Sequence, residues 1–96
     1  MTSVAVVIPA YNEAERVGET VTAALTLPSV DAVVVASDGS TDATVRVAMD
    51  ADATVWRSRR NQGKAAAMLA GAAYWTYRHL QPEPLFAPAS ANASQN

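Results

Sequence analysis

Along these 96 residues, short β-branched apolar runs alternate with segments whose apolar residues recur at helical spacing. Val4-Ala5-Val6-Val7-Ile8 predicts a first strand, and Pro9, which lacks an amide proton, is expected to end its ladder. After the loop Pro9 to Glu13, apolar positions at Ala14, Val17, Val21, Ala24 and Leu25 line one helical face that stops before Pro28. Asn12 is its expected N-cap, with Glu13 and Glu15 in the first turn, where the helix dipole favours acids. Val30 to Ala36 predicts a second strand; its run of three valines has the composition of a strand covered on both faces. The small polar run Ser37-Asp38-Gly39-Ser40 turns it into a second helix, Thr41 to Met49, with Ser40 as cap and Asp42 in its first turn. Ala53 to Trp56 predicts a third strand, Arg57 to Gly63 a basic loop, and Lys64 to about Leu80 the longest helix. Ala65, Met68, Leu69, Ala72 and Trp75 form that helix's apolar stripe. Leu85-Phe86-Ala87 is a candidate short fourth strand after Pro82 and Pro84.

Strands alternating with helices across connections this short predict parallel strands and right-handed crossovers. The expected fold is therefore α/β, a Rossmann-like half with a mostly parallel three- to four-stranded sheet and three helices. One domain is expected over residues 1–87. Residues 88–96 carry no charge and no large apolar side chain, so nothing offsets their ordering entropy and a disordered tail is expected.

Composition narrows the function. Half of the residues are hydrophobic, but only 6% are aromatic and alanine supplies much of the rest, so the core must be thin and closely packed. A net charge of −2 has the wrong sign for a nucleic-acid groove or an anionic membrane surface as main partner. With no cysteine there is neither a disulfide framework nor a thiolate nucleophile. No apolar run reaches the roughly 20 residues needed to cross a bilayer, and Met1 leads into a strand without a basic signal region. A cytoplasmic location is expected.

In parallel sheets, ligands bind at the carboxyl ends of the strands, and three loops leave those ends here: Pro9 to Glu13, Ser37 to Ser40, and Arg57 to Lys64. A carboxylate at Asp38 can accept from the ring imide of uracil or thymine or from the paired donors of guanine, whereas much of adenine's edge offers it only acceptors. Tyr11 offers a stacking face, and Glu13 an acceptor for a ribose hydroxyl. Lys64 with Arg57, Arg59 and Arg60 can neutralise a diphosphate. Gly63 would let a phosphate approach the amides that open the last helix. Each feature also has a plainer reading. Asp38 and Asp42 alone are turn and cap residues more often than ligand contacts, the basic residues suit a solvated surface, and Tyr11 can be ordinary packing. His79, near a helix C-terminus, is given no catalytic role.

Val6-Val7-Ile8-Pro9-Ala10-Tyr11-Asn12-Glu13, Ser37-Asp38-Gly39-Ser40-Thr41-Asp42 and Asn61-Gln62-Gly63-Lys64, in that order and spacing, resemble the amino-terminal half of a family-2 glycosyltransferase with the GT-A fold. The likeness runs from residue 4 to about residue 80. It implies binding of a nucleotide-sugar, usually a UDP-, dTDP- or GDP-sugar, and transfer with inversion at the anomeric carbon. It places Pro9, Tyr11 and Glu13 near the nucleoside, Asp38 on the base, and Gly63 and Lys64 beside the ribose or diphosphate, with Asp42 capping a helix. Relatives of this kind often act on lipid-linked acceptors, so the inner face of the membrane is left open as a location.

The sequence departs from the family where chemistry begins. The family holds Mg²⁺ or Mn²⁺ with an Asp-x-Asp after its fourth strand; the corresponding place here reads Pro88-Ala89-Ser90, which offers no carboxylate to a hard cation. The family's general base and acceptor pocket lie on a second half. Without cation or base, the leaving diphosphate and the incoming hydroxyl are both left unassisted. The expectation is a truncated, nucleotide-sugar-binding form without autonomous transfer and with no catalytic residue of its own. The alternative is a non-catalytic nucleotide-binding or assembly module whose exposed sheet edge pairs with itself or with a second polypeptide.

Overall fold

A computed structural model describes residues 4–80. In chain order these form β1 (Val4–Ala10), α1 (Val17–Leu25), β2 (Val30–Asp38), α2 (Thr44–Asp50), β3 (Thr54–Ser58) and α3 (Lys64–Leu80). Both strand pairings are parallel and the spatial order is β1-β2-β3, so β2 is central. This is the α/β half-sheet that the hydrophobic pattern predicts. The candidate strand Leu85-Phe86-Ala87 and the expected tail lie outside the described residues.

The central position explains the composition of β2. Val33, Val34, Val35 and Ala36 are all buried because each face of the strand has a cover. On one face Val33 and Val35 pack with Val17 and Val21 of α1, Ala48 of α2 and Ala10 of β1. On the other, Val34 and Ala36 approach Gly71 of α3. Burying a valine contributes roughly 1.5–3 kcal/mol relative to leaving it in water. The three adjacent valines therefore anchor both layers at once.

Several elements depart from the sequence-based expectations: α1 begins at Val17 and not Ala14, α2 at Thr44 and not Thr41, and β2 and β3 run on to Asp38 and Ser58. Strand β1 does not stop at Pro9 but runs to Ala10, with Pro9 opposite Ala36. Among the described strands β1 lies at the edge of the sheet, where a proline is tolerated because one row of backbone groups has no partner to lose. The packing face of α3 also differs. Ala67 and Gly71 are buried, whereas Met68 is 45% and Leu69 72% exposed and Ala65 and Ala72 are exposed too. A Cβ at Gly71 would lie 3.0 Å from the Ala36 Cβ and 3.1 Å from Val7. The helix sits so close to the sheet that only its smallest residues fit beneath it. Met68 and Leu69 are turned outward, against the expectation from the stripe, while Trp75 is half-buried.

Candidate active site

The three loops at the carboxyl ends of the strands meet along one rim. Pro9, Ala10, Tyr11, Glu13, Asp38, Asn61, Gly63 and Lys64 line a single cavity of about 300 Å³. That volume is at the lower end of the range for small-molecule clefts, which run from roughly 300 to 1,000 Å³. All six residues singled out from the sequence are thus brought together, and Ala10 and Asn61 join them. Arg57, Arg59 and Arg60 are exposed and do not line the cavity, which leaves Lys64 as the cation on its wall.

Asp38 ends β2 and is 3% exposed. Its Oδ1 accepts the Gln62 backbone N–H at 2.7 Å and its Oδ2 that of Gly63 at 2.9 Å. The carboxylate therefore clamps the β3–α3 loop against the end of β2. Each of its oxygens keeps one further lone pair. Gly63 has φ +100, and its own N–H is taken by Asp38 and, at 3.2 Å, by Asn61 Oδ1. Beyond it, the N–H groups of Lys64, Ala65 and Ala66 precede the first bond of α3, Ala67 N–H to the Gly63 carbonyl at 3.0 Å, and so have no acceptor within the helix. Gly39 lets the two loops touch. It has φ +78, and a Cβ there would stand 2.5 Å from the Asn61 backbone nitrogen and 2.6 Å from the Arg60 carbonyl carbon. Behind the loop, the Ser58 hydroxyl donates to the Arg60 carbonyl at 2.7 Å.

A second set of bonds joins the β1–α1 loop to the β2–α2 loop. Asn12 does not cap α1, which begins at Val17 after a turn in which Glu13 O accepts from Arg16 and Val17 N–H. With φ 51, Asn12 instead turns its Oδ1 to accept from Thr41 N–H at 2.8 Å and Asp42 N–H at 3.3 Å. Its own N–H donates to Ser40 Oγ at 3.0 Å, so Ser40 is a loop staple and not the cap of α2. Ser37 Oγ, buried, bonds Ser40 Oγ at 3.0 Å. Glu13 N–H donates to the buried Thr44 Oγ1 at 2.8 Å, and Glu13 is among the residues that line the cavity. The N-cap position of α2 is Ala43, which makes no side-chain cap bond, but Asp42, ahead of the helix and not in its first turn, takes the N–H of the helix's first residue. The Asp42 Oδ1 accepts the N–H and the hydroxyl of Thr44, and its Oδ2 accepts Ala14 N–H at 3.3 Å. The Thr44 hydroxyl bond, with the Thr44 and Ala14 amides behind it, holds the Asp42 carboxyl below the ordinary carboxylate range, against a smaller opposing effect of desolvation.

Asn12, Ser40 and Thr44 carried no sign of this network in the sequence, because their partners are 28 to 31 residues away. One hint was available for Asn12, since asparagine is among the few residues that accept a left-handed conformation readily.

The residues at hand do not suit a divalent cation. Among the described residues, no group of three or more His, Cys, Asp or Glu could hold a metal ion. Pro88-Ala89-Ser90, the place compared with Asp-x-Asp, lies outside the described residues. Among the described residues, no helix is long and apolar enough to cross a membrane.

Comparison with known proteins agrees with the motif order. No curated protein matches the chain. Residues 5–80 match the family described as Glycosyl transferase family 2, a span that contains every strand and helix above except the first residue of β1. The chain belongs to that family.

Proposed function

We propose that this family-2 glycosyltransferase chain binds the nucleoside diphosphate portion of a sugar donor in the rim cavity. The observation that carries the reading is the convergence of Tyr11, Glu13, Asp38 and Lys64, from three separate loops, on one cavity. Tyr11 is 48% exposed and presents a ring for stacking on the base. The remaining lone pairs of Asp38 accept from an imide or amino N–H, which favours uracil, thymine or guanine over adenine. Glu13 accepts from a ribose hydroxyl, Pro9 walls the nucleoside, and Gly63 with Lys64 faces the diphosphate, where the ammonium offsets its charge. Residues 1–87 are taken as the donor-binding unit. The described residues bind and orient the donor, and no transfer step is assigned to them.

Calorimetric titration with UDP, GDP and ADP, with and without EDTA, tests this reading. UDP or GDP should bind with a submillimolar Kd and ADP at least about tenfold more weakly, a discrimination worth roughly 1.4 kcal/mol. Binding should persist in EDTA. A folded sample that takes up none of the three at millimolar concentration overturns the proposal.

A further inference from the structure

Between the cavity residues Tyr11 and Glu13 stands Asn12, which does not line the cavity at all. Its left-handed backbone turns its side chain out of the row and onto the neighbouring loop. There one carbonyl oxygen receives two consecutive backbone donors, Thr41 at 2.8 Å and Asp42 at 3.3 Å. The bonding is reciprocal. The loop that donates to Asn12 also accepts from the segment around it, through Ser40 Oγ from Asn12 N–H, Thr44 Oγ1 from Glu13 N–H, and Asp42 Oδ2 from Ala14 N–H. Three successive amides, 12 to 14, are thus held by side chains of one partner loop, and that loop's amides 41 and 42 by one side chain in return.

We infer that Asn12 is a positioning residue: with Asp42 it latches the β1–α1 loop to the β2–α2 loop and so sets where Tyr11 and Glu13 stand against Asp38. As a statement about ligand affinity this rests on the nucleotide reading above; as a statement about loop geometry it does not. The loop from Tyr11 to Arg16 contributes little to the core, since only Ala14 among its residues is even half-buried. Hydrogen bonds, not packing, therefore hold it in place. Unlatched, it samples conformations that do not present Tyr11 and Glu13 together, and the apparent affinity falls by the fraction of molecules still competent. If a tenth remain so, the Kd rises about tenfold.

Three substitutions separate the latch from backbone conformation. Asn12→Gly keeps the left-handed backbone at no cost but removes the acceptor, Asn12→Ala removes both, and Asn12→Asp keeps an acceptor oxygen and tolerates the conformation. The ligand-free readout is amide hydrogen exchange at Thr41 and Asp42, with the chemical shifts of Tyr11 and Glu13. The ligand readout is the Kd for UDP and GDP. The Gly and Ala variants should exchange at least about tenfold faster at Thr41 and Asp42, shift the Tyr11 and Glu13 resonances, and bind about tenfold more weakly, with Asp within about threefold of the parent. An Asn12→Gly protein that matches the parent in exchange and shifts overturns the latch, as does an Asp variant as impaired as Ala. If the parent binds no nucleotide, the nucleotide reading fails, and exchange and shifts alone decide the latch.

Discussion

Replacing Asp38 by Asn tests whether this carboxylate is first a ligand group or first a structural clamp. A residue that only reads a base could be changed with little effect on stability. The structure predicts otherwise, because Asp38 is 3% exposed and holds two backbone N–H groups, those of Gln62 and Gly63, at 2.7 and 2.9 Å. Asparagine keeps the shape but has one acceptor oxygen and turns an NH₂ toward the second amide. One charge-assisted bond becomes a neutral one, a loss of roughly 1 kcal/mol, and the Gly63 N–H keeps only its longer bond to Asn61 Oδ1 at 3.2 Å, a further loss of about 0.5–1.5 kcal/mol. The expected destabilisation of Asp38→Asn is about 1.5–2.5 kcal/mol, a large part of the total stability of a domain this small. Urea denaturation followed by the fluorescence of Trp56 and Trp75, which stand on either side of the clamped loop in β3 and α3, measures it. In thermal melts the same loss lowers Tm by roughly 6–20 °C, at 4–8 °C per kcal/mol for a domain of this size. Exchange at Gln62 and Gly63 should quicken. Stability within about 0.5 kcal/mol of the parent would refute the clamp, and loss of nucleotide binding at that unchanged stability would return Asp38 to a ligand role alone.

Other substitutions probe the same geometry. Gly39→Ala meets both a positive φ and a 2.5 Å approach to the Asn61 backbone, so it should cost about 2–4 kcal/mol in chemical denaturation and separate the two loops. Gly71→Val should cost at least about 2 kcal/mol by driving α3 off Ala36 and Val7, while Leu69→Gln, on the outward face, should stay within about 0.5 kcal/mol. For Asp42 the folded carboxyl titrates below its ordinary value, so its contribution is present above the unfolded value near 3.9 and is lost as pH falls through the folded one. The stability difference between the parent and Asp42→Asn should accordingly be constant from neutral pH down to about pH 5 and shrink below pH 4, as read by denaturation at stepped pH. A difference that grows on acidification would contradict the bonding at Asp42.

Local sequence was enough to find all six described elements, though not their ends, because each strand holds adjacent β-branched residues and each helix carries its own period. The type of the central strand followed from Val33-Val34-Val35 alone, since few other settings accept three adjacent valines. The gathering of Pro9, Tyr11, Glu13, Asp38, Gly63 and Lys64 at one rim was also foreseeable, because parallel strands bring their carboxyl ends to the same edge. What each loop residue bonds to was not. Asn12 and Ser40 have the chemistry of local caps, and nothing nearby in the chain reveals that their partners come from another loop. The face of α3 was hidden for a related reason. Hydrophobic periodicity marks Leu69 and Met68 as core, but the distance between helix and sheet, set by how Ala36, Val7 and Gly71 interlock, leaves room only for small side chains. Periodicity is a property of one segment, whereas close approach and long-range hydrogen bonding belong to pairs of segments and exist only once the chain has packed.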